Sequence, residues 1–214
     1  MLSGRDPSSV RLVAVSKTFP VEAVREAWEA GQRDFGENKV QEGLEKSRAL
    51  AELGLHWHLL GHLQTNKVRK AVGSFKTLHG IDSVELLRKI DAAARDADVG
   101  PELLIQVDLA GEATKHGVSP SEMPRMLEEA GRCRAARVVG LMLLPPAPDT
   151  PEEARPWFSR LRTLRDGWLA AGVPAPILRE LSMGMSGDFE VAVQEGATLV
   201  RVGTAIFGRR HVQA

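Results

Sequence analysis

Tyrosine is absent from the 214 residues, cysteine occurs once, and the positive and negative side chains cancel. The missing phenol removes one of the usual acid–base groups from any mechanism. A lone Cys133 cannot close an intramolecular disulfide, and no cluster of metal-ligand spacing surrounds it. Both facts point to a reducing compartment and argue against a structural zinc site. Lys plus Arg and Asp plus Glu each total 28, so no net field recruits nucleic acid or an anionic membrane. No apolar run approaches the ~18 residues of a membrane span, and the opening MLSGRDPSSV has no basic start followed by an apolar stretch. These absences predict a cytoplasmic protein with no nucleic-acid and no membrane partner.

What is present is an unbroken alternation of strand-length apolar runs with amphipathic helical segments, the pattern of a parallel α/β fold. The predicted strands are VRLVAVS (10–16), RDFG (33–36), HWHLLG (56–61), TLHGI (77–81), ELLIQVDL (102–109), RVVGLMLL (137–144), ILRELS (177–182) and TLVRVG (198–203). Eight strands predict a single (β/α)8 barrel of the TIM type, one domain over residues 1–214 with the barrel proper at about 10–209. Helical stripes are legible at Val21, Val24 and Trp28, at Val84, Leu87, Ile90 and Ala94, and at Trp157, Leu161, Leu164, Trp168 and Ala171. Spacings of three and four put each set on one face, packed against the sheet. Asp82 with Glu85, Ser119 with Glu122 and Thr150 with Glu153 read as capping boxes. The proline-rich PPAPDTPEEARP (145–156) reads as a loop over the barrel mouth rather than a domain boundary.

Ligands of such barrels sit at the C-terminal ends of the strands. There the sequence places Lys17, then Gly36, Glu37 and Asn38, then GHLQTNK (61–67), AGEATKHG (110–117), SMGMSGD (182–188) and RVGT (201–204). Lys17 shares strand parity with Val13 and Val15. An inward lysine between apolar walls has a depressed pKa and a larger neutral fraction, as a nucleophilic amine requires. The competing reading is a strand-end lysine whose head reaches solvent. Ser186 reads as an N-cap, and the amides of Gly187 and Asp188, near Ser182 and Gly184, as an anion site. Gly203 and Thr204 add an amide and a hydroxyl, in the loops that commonly grip phosphate in barrels. Arg201, in parity with Leu199 and Gly203, faces inward and needs an acceptor. Asn38 reads as a helix cap with Gln41 reaching back. His56, His58, His62, His79 and His116 show no helical pair with a third ligand, so no metal site is predicted.

LVAVSKT, FGENKVQE, WHLLGHLQTNK and LSMGMSGDFEVAVQEGATLVRVGTAIFG together resemble the pyridoxal phosphate homeostasis protein family, in register from Val10 to Arg209. The resemblance implies a pyridoxal-phosphate barrel of fold type III, similar to the N-terminal domain of alanine racemase. It implies that Lys17 carries pyridoxal 5'-phosphate as an internal aldimine. Ser182, Gly203 and Thr204 would hold the phosphate, Met183 would add a backbone contact, Arg201 would face the pyridine nitrogen, and Asn38 would lie near the ring. A monomer that binds the cofactor without evident catalysis and supplies it to apoenzymes is the implied role. Two departures stand out: Lys39 where GENY is common, and only Met1–Ser9 ahead of the first strand.

Alanine racemases use a tyrosine from a second domain opposite the lysine; these 214 residues contain no tyrosine, and their length is expected to leave no room for such a domain. The alternative, a small pyridoxal-phosphate-dependent racemase or lyase, would need His62 or Lys115 as an unusual second base. A sugar-phosphate barrel enzyme with Lys17 as an aldolase-type amine is a third reading, from fold analogy alone. The tail Arg209 and Arg210 reads as a solvated basic pair.

Overall fold

The computed structural model describes residues 3–111 and 116–208. The short apolar runs form eight strands: β1 (Arg11–Val15), β2 (Asp34–Glu37), β3 (His56–Leu59), β4 (Thr77–Ile81), β5 (Glu102–Gln106), β6 (Arg137–Met142), β7 (Glu180–Ser182) and β8 (Leu199–Val202). All pair in parallel and in chain order, and β1 closes on β8 with Val13 opposite Arg201. Between them lie α1 (Val21–Glu29), α2 (Val40–Ala49), α3 (Val68–Val72), α4 (Val84–Asp96), α5 (Met123–Ala130), α6 (Arg155–Ala170) and α7 (Phe189–Gln194), with α8 (Thr204–Phe207) after β8. The architecture is the (β/α)8 barrel that the alternation predicts.

Strand alternation splits the core in two. Val13, Leu104, Val139, Met142 and Leu199 fill the barrel interior. Ala14, Phe35, Leu78, Ile81, Leu87, Ile90 and Phe158 belong to the layer between strands and helices. Each fully buried leucine, isoleucine or phenylalanine there stabilises the fold by roughly 1.5–3 kcal/mol.

Several local expectations are corrected. Residues 177 and 178 belong to a 3-10 turn, Ala175–Leu178, rather than to β7, because Pro176 has no N–H to give a ladder. The cap of α4 is Ser83, whose hydroxyl accepts from the Leu86 amide at 3.2 Å, and not Asp82. Ser119 and Glu122 do bond to each other, at 2.7 Å, but they close a turn ahead of α5. Thr150 and Glu153 cap the 3-10 turn Pro151–Ala154 that leads into α6, with Glu153 reaching back to the Asp149 amide. On α6 the buried face is centred on Phe158 and Leu161, and Ala171 is exposed past its end. Asn38 does not cap α2: the cap residue is Lys39, with no side-chain bond, and Gln41 donates to Glu45 instead.

Candidate functional site

Val15, Lys17, Asn38, Leu60, Met142, Leu144, Met185, Ser186, Gly187, Arg201, Gly203 and Thr204 line a cavity of about 430 Å³ at the C-terminal rim. The volume suits a small cofactor. Five of the seven residues that the sequence singles out are on its wall: Lys17, Asn38, Arg201, Gly203 and Thr204.

Lys17 follows β1 in the parity of Val13 and Val15, of which Val13 packs in the barrel interior and Val15 lines the cavity. The strand end beneath it is clamped. Lys46 of α2 donates to the Ser16 carbonyl at 2.7 Å and to Glu37 Oε1 and Glu42 Oε1 at 2.8 Å each, while the Ser16 hydroxyl donates to Glu37 Oε1 at 2.7 Å. Thr18, next to Lys17, sits in the left-handed region at φ 69° with its amide donating to Glu42 Oε1. For a β-branched residue this conformation costs of order 1–3 kcal/mol. The cost is tolerated because the clamp over-determines the turn. None of Ser16, Glu37 and Lys46 stood out in the sequence as a support; the signal was a lysine, Lys46, nine positions after a strand-end glutamate.

Asn38 reaches the rim because Gly61 is a glycine: a Cβ there would lie 2.1 Å from the Asn38 carbonyl oxygen. Arg201 is buried, donating through Nη1 to Ser182 Oγ at 2.6 Å and through Nη2 to the Leu143 carbonyl at 2.9 Å. Burial lowers its pKa to about 10, partly offset by the Asp188 charge, so the guanidinium is cationic at neutral pH.

Ser182 and Met183 lie deeper than the other five. Both are fully buried, and neither lines the cavity. The Ser182 hydroxyl is held between His79 Nδ1, at 3.1 Å, and Arg201, beneath the cavity floor. The serine on the wall is Ser186. It does not cap α7, whose cap residue is Asp188. Its hydroxyl instead accepts from the amides of Gly203 at 3.1 Å and Ala205 at 3.4 Å, gathering those N–H groups and the Thr204 segment at one corner. The Asp188 amide donates to the Met185 carbonyl and is therefore spent.

His62, Asp82 and His116, from the loops after β3, β4 and β5, come together although their spacing gave no sign of it. His62 Nδ1 lies 3.0 Å and His116 Nδ1 3.5 Å from Asp82 Oδ2, with the two rings stacked at 3.8 Å and 10°. An ion must lie close to the plane of each imidazole it binds, and parallel stacked rings offer no common point beside their Nδ1 atoms. As built, the two stacked rings each bring Nδ1 within ion-pair distance of the Asp82 carboxylate. His62 does not line the cavity, and Lys115, Arg209 and Arg210 lie outside the described residues.

The family model of the alanine racemase N-terminal domain matches residues 4–211. The pyridoxal phosphate homeostasis protein of Aquifex aeolicus is 43% identical over 208 residues, covering 97% of this chain and 90% of the relative. That of Pseudomonas aeruginosa is 43% identical over 209 residues, covering 97% and 88%. The solved structure of PipY from Synechococcus elongatus with PLP bound superimposes with a TM-score of 0.86 at 42% identity, covering 97% of this chain and 96% of PipY. An alanine racemase of Clostridium difficile, 16% identical with a TM-score of 0.74 and covering 96% and 56%, shares the fold alone.

Proposed function

The chain belongs to the alanine racemase N-terminal domain family and, within it, to the pyridoxal phosphate homeostasis proteins, and on that premise we propose that it binds pyridoxal 5'-phosphate and holds it for supply to other proteins. The observation that carries this reading is one cavity bearing a primary amine, a buried guanidinium and a corner of backbone amides with two hydroxyls. Pyridoxal phosphate presents an aldehyde that condenses with a primary amine, a phosphate, and a pyridine ring that draws electrons well only when its nitrogen is protonated.

Lys17 offers the amine. Ser186 and Thr204 offer the phosphate their hydroxyls, and the Gly203 amide would turn to it from Ser186 Oγ, with Ser186 taking the place expected of Ser182. Arg201, a permanent donor at neutral pH, faces the ring nitrogen and keeps a proton off it; Asn38 flanks the ring. A cation in that position makes the ring a weak electron sink, and no tyrosine is present to act as a second base. Both favour holding over catalysis. The finer reading is a cytoplasmic monomer that hands the cofactor to apoenzymes.

Purified protein supplied with pyridoxal phosphate is expected to absorb near ~420 nm, with borohydride fixing the label to Lys17. The Lys17→Ala variant should lack the band, and the loaded protein should exchange the α-proton of alanine no faster than free cofactor does. A colourless wild-type protein that takes up no cofactor would overturn the reading.

A further inference from the structure

A continuous hydrogen-bonded chain crosses the barrel interior beneath the cavity. Asp34 Oδ1 lies 3.0 Å from His58 Nε2, His58 Nδ1 lies 3.1 Å from His79 Nε2, and His79 Nδ1 lies 3.1 Å from Ser182 Oγ, which Arg201 Nη1 approaches to 2.6 Å. His58, His79, Ser182 and Arg201 are all buried, and Asp34 opens β2 at the N-terminal side of the barrel, away from the cavity.

The proton positions follow from the carboxylate end and agree with the cation end. A guanidinium only donates, so Ser182 Oγ accepts from Arg201 and keeps its own proton for its other partner, His79 Nδ1. Burial lowers the pKa of both histidines, that of His79 far, so both are neutral. A neutral His79 with a bare Nδ1 carries its proton on Nε2 and donates to His58 Nδ1. His58 then carries its proton on Nε2 and donates to Asp34. From the other end, burial raises the Asp34 pKa, but the hydrogen bond from His58 and the nearby guanidinium of Arg11 bring it below the ordinary value. A carboxylate only accepts, which fixes His58 in the same tautomer. With both rings neutral, the carboxylate end imposes this direction and the serine can complete it; reversing either bond of His58 would set two donors or two acceptors face to face inside the barrel.

We propose that this one-way chain makes Asp34 a positioning residue for Arg201: a carboxylate at the far end of the barrel fixes, through two histidines and a serine, how the guanidinium is presented at the cavity floor. No proton moves along the chain in this role. Its dipoles all point one way, so Asp34, as the terminal acceptor, sets the direction in which every group up to the Ser182 hydroxyl is held against the guanidinium.

The tautomer assignment can be tested on the protein alone, independently of the proposed cofactor. Long-range proton–nitrogen NMR spectra at neutral pH should show His58 and His79 neutral, each protonated on Nε2. Asp34→Ala should disturb the signals of His79, which Asp34 does not touch, and weaken pyridoxal phosphate binding by about tenfold. Asp34→Asn, which keeps an acceptor oxygen, should restore both. Ser182→Ala, which cuts the chain beside Arg201, should also release the His79 tautomer. An Nδ1-protonated or charged His79 in the wild type, His79 signals unmoved in Asp34→Ala and Ser182→Ala, or an Asp34→Asn variant as impaired as Asp34→Ala would each overturn the proposal. The cofactor-binding arm rests on the proposed function; if no variant and no wild type binds pyridoxal phosphate, that reading fails while the tautomers still decide the chain.

Discussion

Gly184 has φ +93°, and a Cβ built on it would lie 2.5 Å from that of Ala192. Its carbonyl accepts the amide of Arg201 at 2.9 Å, so this glycine sets where the arginine leaves its strand. Gly184→Ala combines a left-handed backbone penalty with an overpacked contact and should destabilise the protein by about 2–4 kcal/mol in urea unfolding. The residue scale also shows what a sequence can and cannot say about a site. Alternation along a strand gives the face of a side chain, and by that rule Lys17 and Arg201 were legible as inward groups. It does not give depth. Ser182 points inward as its parity implies, yet it lies under the floor as a partner of Arg201, while Ser186, read as a cap, stands on the wall. His58 and His79 lie in predicted strands and both are buried; only three-dimensional register brings them nose to tail.

At the scale of elements, the junction of β1, β2 and α2 depends on one buried cation. Glu37 is fully buried, and its Oε2 has no hydrogen-bond partner among the described residues. Burial raises its pKa, against the lowering by hydrogen bonds from Lys46 and Ser16. A carboxyl with a raised folded pKa favours folding most below its unfolded value, and that contribution is lost as pH rises through the folded value. Lys46→Met removes the compensating cation and should cost about 3–5 kcal/mol at pH 7. The cost should shrink as the solution is acidified and Glu37 takes up a proton, and the double variant Glu37→Gln, Lys46→Met should recover much of it. Chemical denaturation of the wild type and the two variants at neutral and mildly acidic pH measures this directly; a Lys46→Met penalty that grows on acidification would contradict it. The elements themselves were legible because parallel strands buried on both faces write near-continuous apolar runs, and helices write periodic ones. Element ends were less so. Ser83 rather than Asp82 caps α4 because both are good caps and only the backbone decides between adjacent ones.

For the whole molecule, closure of the barrel is uneven. Strands β5 and β6 share five register pairs, β1 and β8 four, but β7 and β8 only one, Ser182 with Leu199. The β7–β8 seam is also crossed by backbone bonds from Thr198 to the Leu181 carbonyl at 2.9 Å, from Met183 to the Leu199 carbonyl at 3.1 Å and from Arg201 to the Gly184 carbonyl at 2.9 Å, and by the Leu181 amide on the Thr198 hydroxyl. The cavity draws its wall from both sides of that seam, Met185 and Ser186 after β7 and Gly203 and Thr204 after β8. A ligand held there ties together the two strands with the shortest shared register. Local opening follows the weakest cooperative unit, so in the free protein backbone amides around 181–184 and 198–201 should exchange with deuterium sooner than those of β5 and β6. Saturation with pyridoxal phosphate should slow exchange at the seam more than anywhere else in the barrel, because a ligand that binds only the closed form stabilises it by mass action. Hydrogen-exchange mass spectrometry with and without cofactor reads both effects. Uniform protection across all eight strands would mean that the barrel opens as one unit and that the cavity does not staple its seam.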